Sequence, residues 1–205
     1  MVVTSPARLE RAFLARPTLE VARGLLGARL VRAIRGRRIS GRVVEVEAYI
    51  GSGDTACHAS RGCTPRTKIM FGPPGRAYVY FTYGMHWMLN VVTEAEGFPA
   101  AVLIRALEPL EGVDGMRRRR KARREEDLAR GPARLCQALA IDGALNGTDL
   151  VRGKDLFLEA GEALADEEVL ATPRIGISYA AARDREALWR FAVTESPFVS
   201  RRSKS

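Results

Sequence analysis

The chain has 205 residues, 46% of them hydrophobic, which suits one domain with a real core and is ordinary for a soluble globular protein. A net charge of +9 and an isoelectric point of about 10.1 favour polyanions as partners: DNA, RNA or an acidic membrane surface. No apolar run approaches transmembrane length, which excludes a helical membrane span, and Met1-Val2-Val3-Thr4 leads into charged residues rather than the apolar segment of a signal peptide.

Of the 33 cationic side chains only four are lysine (Lys68, Lys121, Lys154, Lys204). Arginine holds phosphate bidentately and stacks on bases, so this leans toward nucleic acid, although a genome-wide arginine bias gives the same composition. The expected location is the cytoplasm, with the nucleoid.

In chain order, Pro17-Thr18-Leu19-Glu20 opens a helix through about Leu26, with Thr18 as its cap. Leu30 to Ile34 and Arg38 to Ile50 read as two strands joined at Arg35-Gly36-Arg37. In the second strand Val44, Val46 and Ala48 alternate with Glu45, Glu47 and Tyr49. That predicts a half-buried strand carrying two carboxylates and a ring on one face. Gly51 to Thr67 is a loop rich in Gly, Ser, Thr and Arg. Tyr78 to Val92 reads as an aromatic hairpin whose turn exposes Tyr83, Gly84 and Met85, a costly tip without a partner. Asn90 ends its apolar strand and must be hydrogen-bonded. It shares a face with Tyr80 only if the turn centres on a residue, expected at an odd position near Met85.

Ala101 to Ala106 predicts a short buried strand closed by Glu108-Pro109, and Arg105 within it needs a charged partner. The basic run Arg117 to Arg124 predicts a solvated, mobile loop over about 114–130. Pro132 to Ile141 is an amphipathic helix whose start, at Gly131-Pro132, offers free N–H groups to a phosphate. Phe157, Ile175 to Tyr179 and Phe191 to Val193 supply three further short strands. Neither a repeat nor a linker interrupts this order. The predicted fold is mixed α/β (α+β): a single domain over 1–205, its core about 19–199, with a curved antiparallel sheet flanked by helices and a protruding β-hairpin.

Cys136 falls in an apolar helical pattern and belongs to the core. Cys57 and Cys63 flank a Gly-rich loop and could meet, but nothing requires a disulfide, and a reducing compartment is the simpler reading. Cys57, His58, Cys63 and His86 match no usual zinc spacing, so neither a metal nor a cofactor is expected.

Several short motifs follow one another along the chain. They are Glu45-Val-Glu47-Ala-Tyr49, His58, Thr64-Pro65-Arg66, Tyr78-Val-Tyr80, Tyr83-Gly84-Met85, Asn90, Leu103 through Gly112, and Gly131-Pro132 through Ile141. In that order and spacing the chain resembles the alkyladenine (3-methyladenine) DNA glycosylase family of the mammalian type, from about Leu19 to Val199. The resemblance implies a compact fold without a helix-hairpin-helix module and base excision without metal. It differs from that pattern in a shorter loop after His58 that contains Cys63, and in His86 and Trp87 behind the tip.

By this resemblance Glu47 is the general base that deprotonates the water attacking C1′ of a damaged nucleotide, a step that needs a proton acceptor and a negative charge beside an oxocarbenium-like sugar. Glu45, on the same strand face, would raise the proton affinity of Glu47 if both are buried. Arg105 would position the water and the nucleotide, alongside any structural ion pair it makes. Tyr49, His58 and Tyr80 would wall the flipped base. A ring face attracts an alkylated, cationic purine by roughly 0.5–2 kcal/mol beyond stacking. Asn90 would form the floor and reject the amino group of normal guanine. Tyr83, with Gly84 and Met85, would enter the minor groove and fill the gap left by the base. Arg66, Lys68 and Arg134 are the phosphate-contact candidates, although any one surface cation is by default simply solvated.

The implied partner is double-stranded DNA with a damaged purine; the simplest state is a monomer. Without a lysine near Glu47 to form a Schiff base, strand cleavage is not expected. Two rivals remain at this stage: a noncatalytic nucleic-acid-binding module, which explains charge and aromatics but not a carboxylate beside rings, and a relative acting on RNA.

Overall fold

A computed structural model describes residues 6–200. In chain order the elements are α1 (Arg11–Leu14), α2 (Thr18–Leu25), β1 (Arg29–Ile34), β2 (Arg37–Ile50), β3 (Ala77–Thr82), β4 (His86–Val92), β5 (Ala100–Glu111), α3 (Val113–Arg120), α4 (Pro132–Ala138), β6 (Leu156–Glu159), β7 (Val169–Thr172), α5 (Ala182–Glu186) and β8 (Arg190–Val193). All strands pair antiparallel in one eight-stranded sheet of order β3-β4-β5-β2-β1-β6, with β8 pairing β2 and β7 pairing β8. One sheet with helices packed on it makes the predicted single mixed α/β domain. Leu14 of α1 is fully buried in the same core as β2 and β5. Among the described residues, no helix is long and apolar enough to cross a membrane.

β2 is the axis of the sheet. Its first half pairs β1 across a two-residue turn in which Arg35 and Gly36 both take positive φ, 49° and 75°, the left-handed pair that suits strand twist. Its second half pairs β8 instead, through Glu45, Val46 and Glu47, while β5 lines its other edge throughout. Two register shifts mark this edge: Val43 pairs Leu107, Glu45 pairs Ala106 and Val46 pairs Ile104. Val44 and Arg105 are therefore the extra residues of facing bulges, a device that re-aims side chains.

The half-buried reading of β2 is corrected here. Val44, Val46 and Ala48 have no exposed surface, and neither do Glu45 and Glu47. The hydrophobic core covers one face, and the chain from Arg174 to Ser200 covers the carboxylate face. Val43, Val46 and Ala48 join the core and Val44, the extra residue of the bulge, does not, so alternation separates the faces only from Glu45 onward, and it cannot see that a distant segment closes over the polar one.

Other boundaries also move. β5 runs on through Pro109 to Glu111, because Pro109 pairs Gly41 beside a third register shift, where a missing N–H costs little. Ile175 to Tyr179 forms bends and turns instead of a strand, and β7 lies upstream at Val169–Thr172. The basic segment predicted as a loop begins as helix α3 and continues through a 3₁₀ turn at Glu125–Asp127. Met116 is fully buried and anchors it, Arg119 Nε donates to the Ala138 carbonyl at 3.0 Å, and Arg120 Nε donates to the Leu128 carbonyl at 3.0 Å. Thr18 is the first helical residue rather than the cap; its hydroxyl donates to Glu94 at 2.8 Å.

In the hairpin Tyr78 pairs Asn90, Tyr80 pairs Met88 and Thr82 pairs His86, so the turn centres on Gly84, an even position one residue before the expected one. Any residue-centred turn keeps Tyr80 and Asn90 on one face, and this one does.

Candidate functional site

The bulged segment of β2 and β5 gathers four buried charges. Glu47 Oε2 accepts from the Tyr49 hydroxyl at 2.9 Å and from Arg105 Nη1 at 3.1 Å, and its Oε1 accepts from the Ile175 backbone N–H at 2.7 Å. Glu45 Oε1 accepts from Arg105 Nε at 2.9 Å, Arg190 Nε at 2.8 Å and the Ser200 hydroxyl at 2.7 Å, and its Oε2 from the Ser200 N–H at 2.6 Å. Such charges are tolerated inside a protein only when paired and fully hydrogen-bonded. Burial pushes the Glu45 carboxyl up, but the guanidinium groups of Arg105 and Arg190, with Ser200, hold it below the usual carboxylate range. Burial, and then the charge of Glu47, keep the Tyr49 hydroxyl protonated well beyond its ordinary value, so it remains a donor.

Above this cluster opens a cleft of about 900 Å³. Tyr49, Arg105 and Ile175, the three donors to Glu47, all line it. A carboxylate has about four acceptor sites. Three are taken, by donors that all line the cleft, while Glu47 itself is fully buried and is not among the lining residues.

His58 and Tyr80 line the same cleft, their rings 4.6 Å apart and nearly perpendicular. Tyr78, not singled out as a wall, holds His58: its hydroxyl lies 2.9 Å from Nδ1. Burial, reinforced by the nearby charges of Arg66 and Arg61, lowers His58 to about 4, so the imidazole is neutral at physiological pH. Cys57 also lines the cleft, its thiol pushed by burial up to about 11 and thus inert as a nucleophile. Asn90 is buried, donates to the Tyr78 carbonyl at 3.1 Å and pairs Leu103 on β5. It sits one rung behind Met88, which lines the cleft, and does not itself open into it.

Tyr83 and Met85 are 78% and 68% exposed at the hairpin tip, and Tyr83 also edges the cleft. Tyr83 and Gly84 take φ of 52° and 65°, closed by Met85 N–H donating to the Thr82 carbonyl at 3.2 Å. Two left-handed central residues make a tight hairpin turn, which glycine adopts freely and tyrosine only under strain. Arg66 is exposed at the cleft rim with its guanidinium 5.0 Å above the Tyr80 ring. Lys68 is exposed on a 3₁₀ turn and borders neither the cleft nor the tip. Arg134 lies 3.4 Å from Asp127 and, with Met85 and Trp87, borders a second cleft of about 540 Å³ across the hairpin. Eleven of the twelve sequence candidates thus divide into a buried pair, a ring-walled cleft, a tip, and scattered surface cations, and Asn90 lies behind the cleft wall.

Sequence reasoning missed a second buried network. Arg174 pairs Asp54 at 2.6 Å with neither side chain exposed, donates to the Ala48 carbonyl at 2.8 Å, and stacks between Tyr49 and Trp189, each ring centroid 4.8 Å away. It clamps Tyr49 from behind and delivers the neighbouring Ile175 N–H to Glu47. Asp54 and Arg174 are separated by 120 residues, and no local pattern announces such a pair. Among the described residues, no group of three His, Cys, Asp or Glu converges as a metal site.

The family model of methylpurine-DNA glycosylase (MPG) matches residues 12–197 of the chain. A chain of Methanocella arvoryzae named "Putative 3-methyladenine DNA glycosylase" is 52% identical over 196 residues, 95% of this chain and 96% of its own length. Chains of the same name from Carboxydothermus hydrogenoformans and Burkholderia cenocepacia are each 50% identical, over 95% and 93% of this chain and 99% and 89% of their own.

Proposed function

The chain belongs to the methylpurine-DNA glycosylase family, and we propose that it hydrolyses the N-glycosidic bond of damaged purines in duplex DNA and leaves an abasic site. The observation that carries this reading is Glu47: a buried carboxylate oriented by three donors that all line a ring-walled cleft.

In this proposal the cleft receives a purine swung out of the helix. Tyr49, His58 and Tyr80 stack around it, and neutral His58 adds no charge to repel a cationic base. Asn90 acts from beneath the cleft wall, against the exocyclic amine of guanine. Glu47 orients a water at C1′. As the water oxygen bonds to C1′, its proton passes to Glu47, and the electron pair of the breaking C1′–N bond leaves with the base. For 3-methyladenine or 7-methylguanine that electron pair neutralises the positive ring, so no strong general acid is needed. Neutral hypoxanthine or ethenoadenine depends more on the site. Arg105 holds the Glu47 carboxylate and presents positive charge to the sugar phosphate.

Tyr83 enters the minor groove and fills the vacated space, with Gly84 and Met85 beside it. Arg66, Lys68 and Arg134 hold the backbone, so affinity falls steeply with salt. Among the described residues no lysine lines the cleft, which supports hydrolysis without strand cleavage. The enzyme works as a monomer on this reading.

The test is a panel of duplexes, each with one 7-methylguanine, hypoxanthine or ethenoadenine, incubated with the protein and then heated in alkali. Alkali-dependent scission at the lesion is expected. Uncut strands across the panel would favour a noncatalytic binding module, cleavage without alkali would contradict the monofunctional mechanism, and release from RNA alone would move the substrate class.

A further inference from the structure

We propose that Glu45 is a positioning residue that aims Arg105 and sets the proton affinity of Glu47; this rests on Glu47 being the base of the proposed reaction. A fully buried acid in the centre of a sheet is costly, and a neutral, well-packed residue there would commonly serve stability as well or better. Here the site instead gives Glu45 four short hydrogen bonds from three residues, Arg105 on β5, Arg190 on β8 and Ser200.

Two features tie that expenditure to Glu47. The first is geometric. Arg105 is the extra residue of its bulge, so the ladder alone does not fix its side chain. Its Nε is bound to Glu45 and its Nη1 to Glu47, so one edge of the planar guanidinium is anchored while the other meets the base. The second is charge. Glu45 and Glu47 face Arg105 and Arg190, two against two, with all four side chains buried. Without Glu45, Glu47 would sit beside uncompensated guanidinium groups, lose proton affinity and become a weaker base.

The other groups facing Glu47 are Tyr49 on its own strand, Arg174 and the Ile175 N–H from the covering segment, Tyr80 on β3, and His58 across the cleft. None of these is hydrogen-bonded to Glu45 or Arg190. Ser200 completes the arrangement: its N–H and hydroxyl hold Glu45 while its carbonyl accepts from Arg190 Nη2 at 3.2 Å. The segment at Ser200 thus bears on the pair that tunes the base.

The proposal makes opposite predictions for two near-isosteric changes. Single-turnover excision of 7-methylguanine from a duplex is followed from acid to mildly alkaline pH for the wild type, Glu45→Gln, Arg190→Gln and Glu47→Gln. Removing a negative charge should move the acid limb of Glu45→Gln down by about one pH unit and lower its plateau. Removing a positive charge should move the limb of Arg190→Gln up by a similar amount. Lesion-duplex affinity should hold in both. Limbs that stay in place, or move in the same direction, overturn the proposal, because a merely structural role lowers the plateau without displacing the limb. Should Glu45→Gln not fold, the sign of the Arg190→Gln shift decides alone. Excision by Glu47→Gln at the wild-type rate marks failure of the base assignment itself, a result distinct from unmoved limbs beside an inactive Glu47→Gln.

Discussion

The cleft is bounded by two regions built on opposite terms. Beneath it, Glu45, Glu47 and Arg105 are buried, and every carboxylate oxygen there has a donor at 2.6–3.1 Å. At its edge stands Tyr83, and beside it on the hairpin tip Met85; both hold apolar surface in solvent on a turn whose tyrosine takes a left-handed backbone. The lower region spends folding energy to hold one geometry. The upper one keeps unpaired surface and strain that only contact with another molecule repays. Damage to the first should therefore appear in both folding and chemistry, and damage to the second in DNA engagement alone.

The largest expected effect breaks the lower region. Arg105→Leu leaves Glu47 without its guanidinium and Glu45 with only one, and should cost about 3–5 kcal/mol in urea unfolding. A loss under about 1 kcal/mol, as for an exposed pair, would erase the distinction between the regions.

Changes at the tip sharpen it. Tyr83→Ala should lower excision from duplex DNA about tenfold, the share of a few kcal/mol of unstacking that an inserted ring recovers, while its unfolding midpoint stays put. Tyr83→Gly should lose activity to the same degree yet gain up to about 1 kcal/mol of stability, because glycine takes a φ of 52° without strain. A tip variant that unfolds early would show the hairpin end to be structural.

A further effect, confined to acid pH, concerns the cleft wall. His58 is lowered to about 4 from an ordinary 6.5, so the unfolded chain binds the proton first. The stability this neutral ring contributes is complete above pH 6.5 and is lost as pH falls toward 4. Thermal midpoints of the wild type should decline through that window, and those of His58→Gln should decline less.

The elements that carry their own pattern were legible in the sequence. The Arg35-Gly36 turn, the hairpin around Gly84, and the pairing of Glu47 with Tyr49 follow from alternation, glycine and aromatic content. The resemblance supplied roles that no pattern could. What stayed hidden depends on long-range closure. Arg190, Ser200 and Ile175 come from the last third of the chain to cover the face that alternation assigned to solvent. Composition misjudged the arginine run for a related reason: Met116 buries itself and pulls Arg119 and Arg120 onto α4 and the segment before it. Ile175 to Tyr179 is apolar enough for a strand, but its backbone serves the site instead, donating one N–H to Glu47.

The most direct measurement is paired binding and single-turnover excision by Glu47→Gln on a duplex carrying one 7-methylguanine. Binding at wild-type affinity with base release slowed about 10²–10⁴-fold is the predicted result. Release at the wild-type rate would contradict the assignment of water activation to this carboxylate.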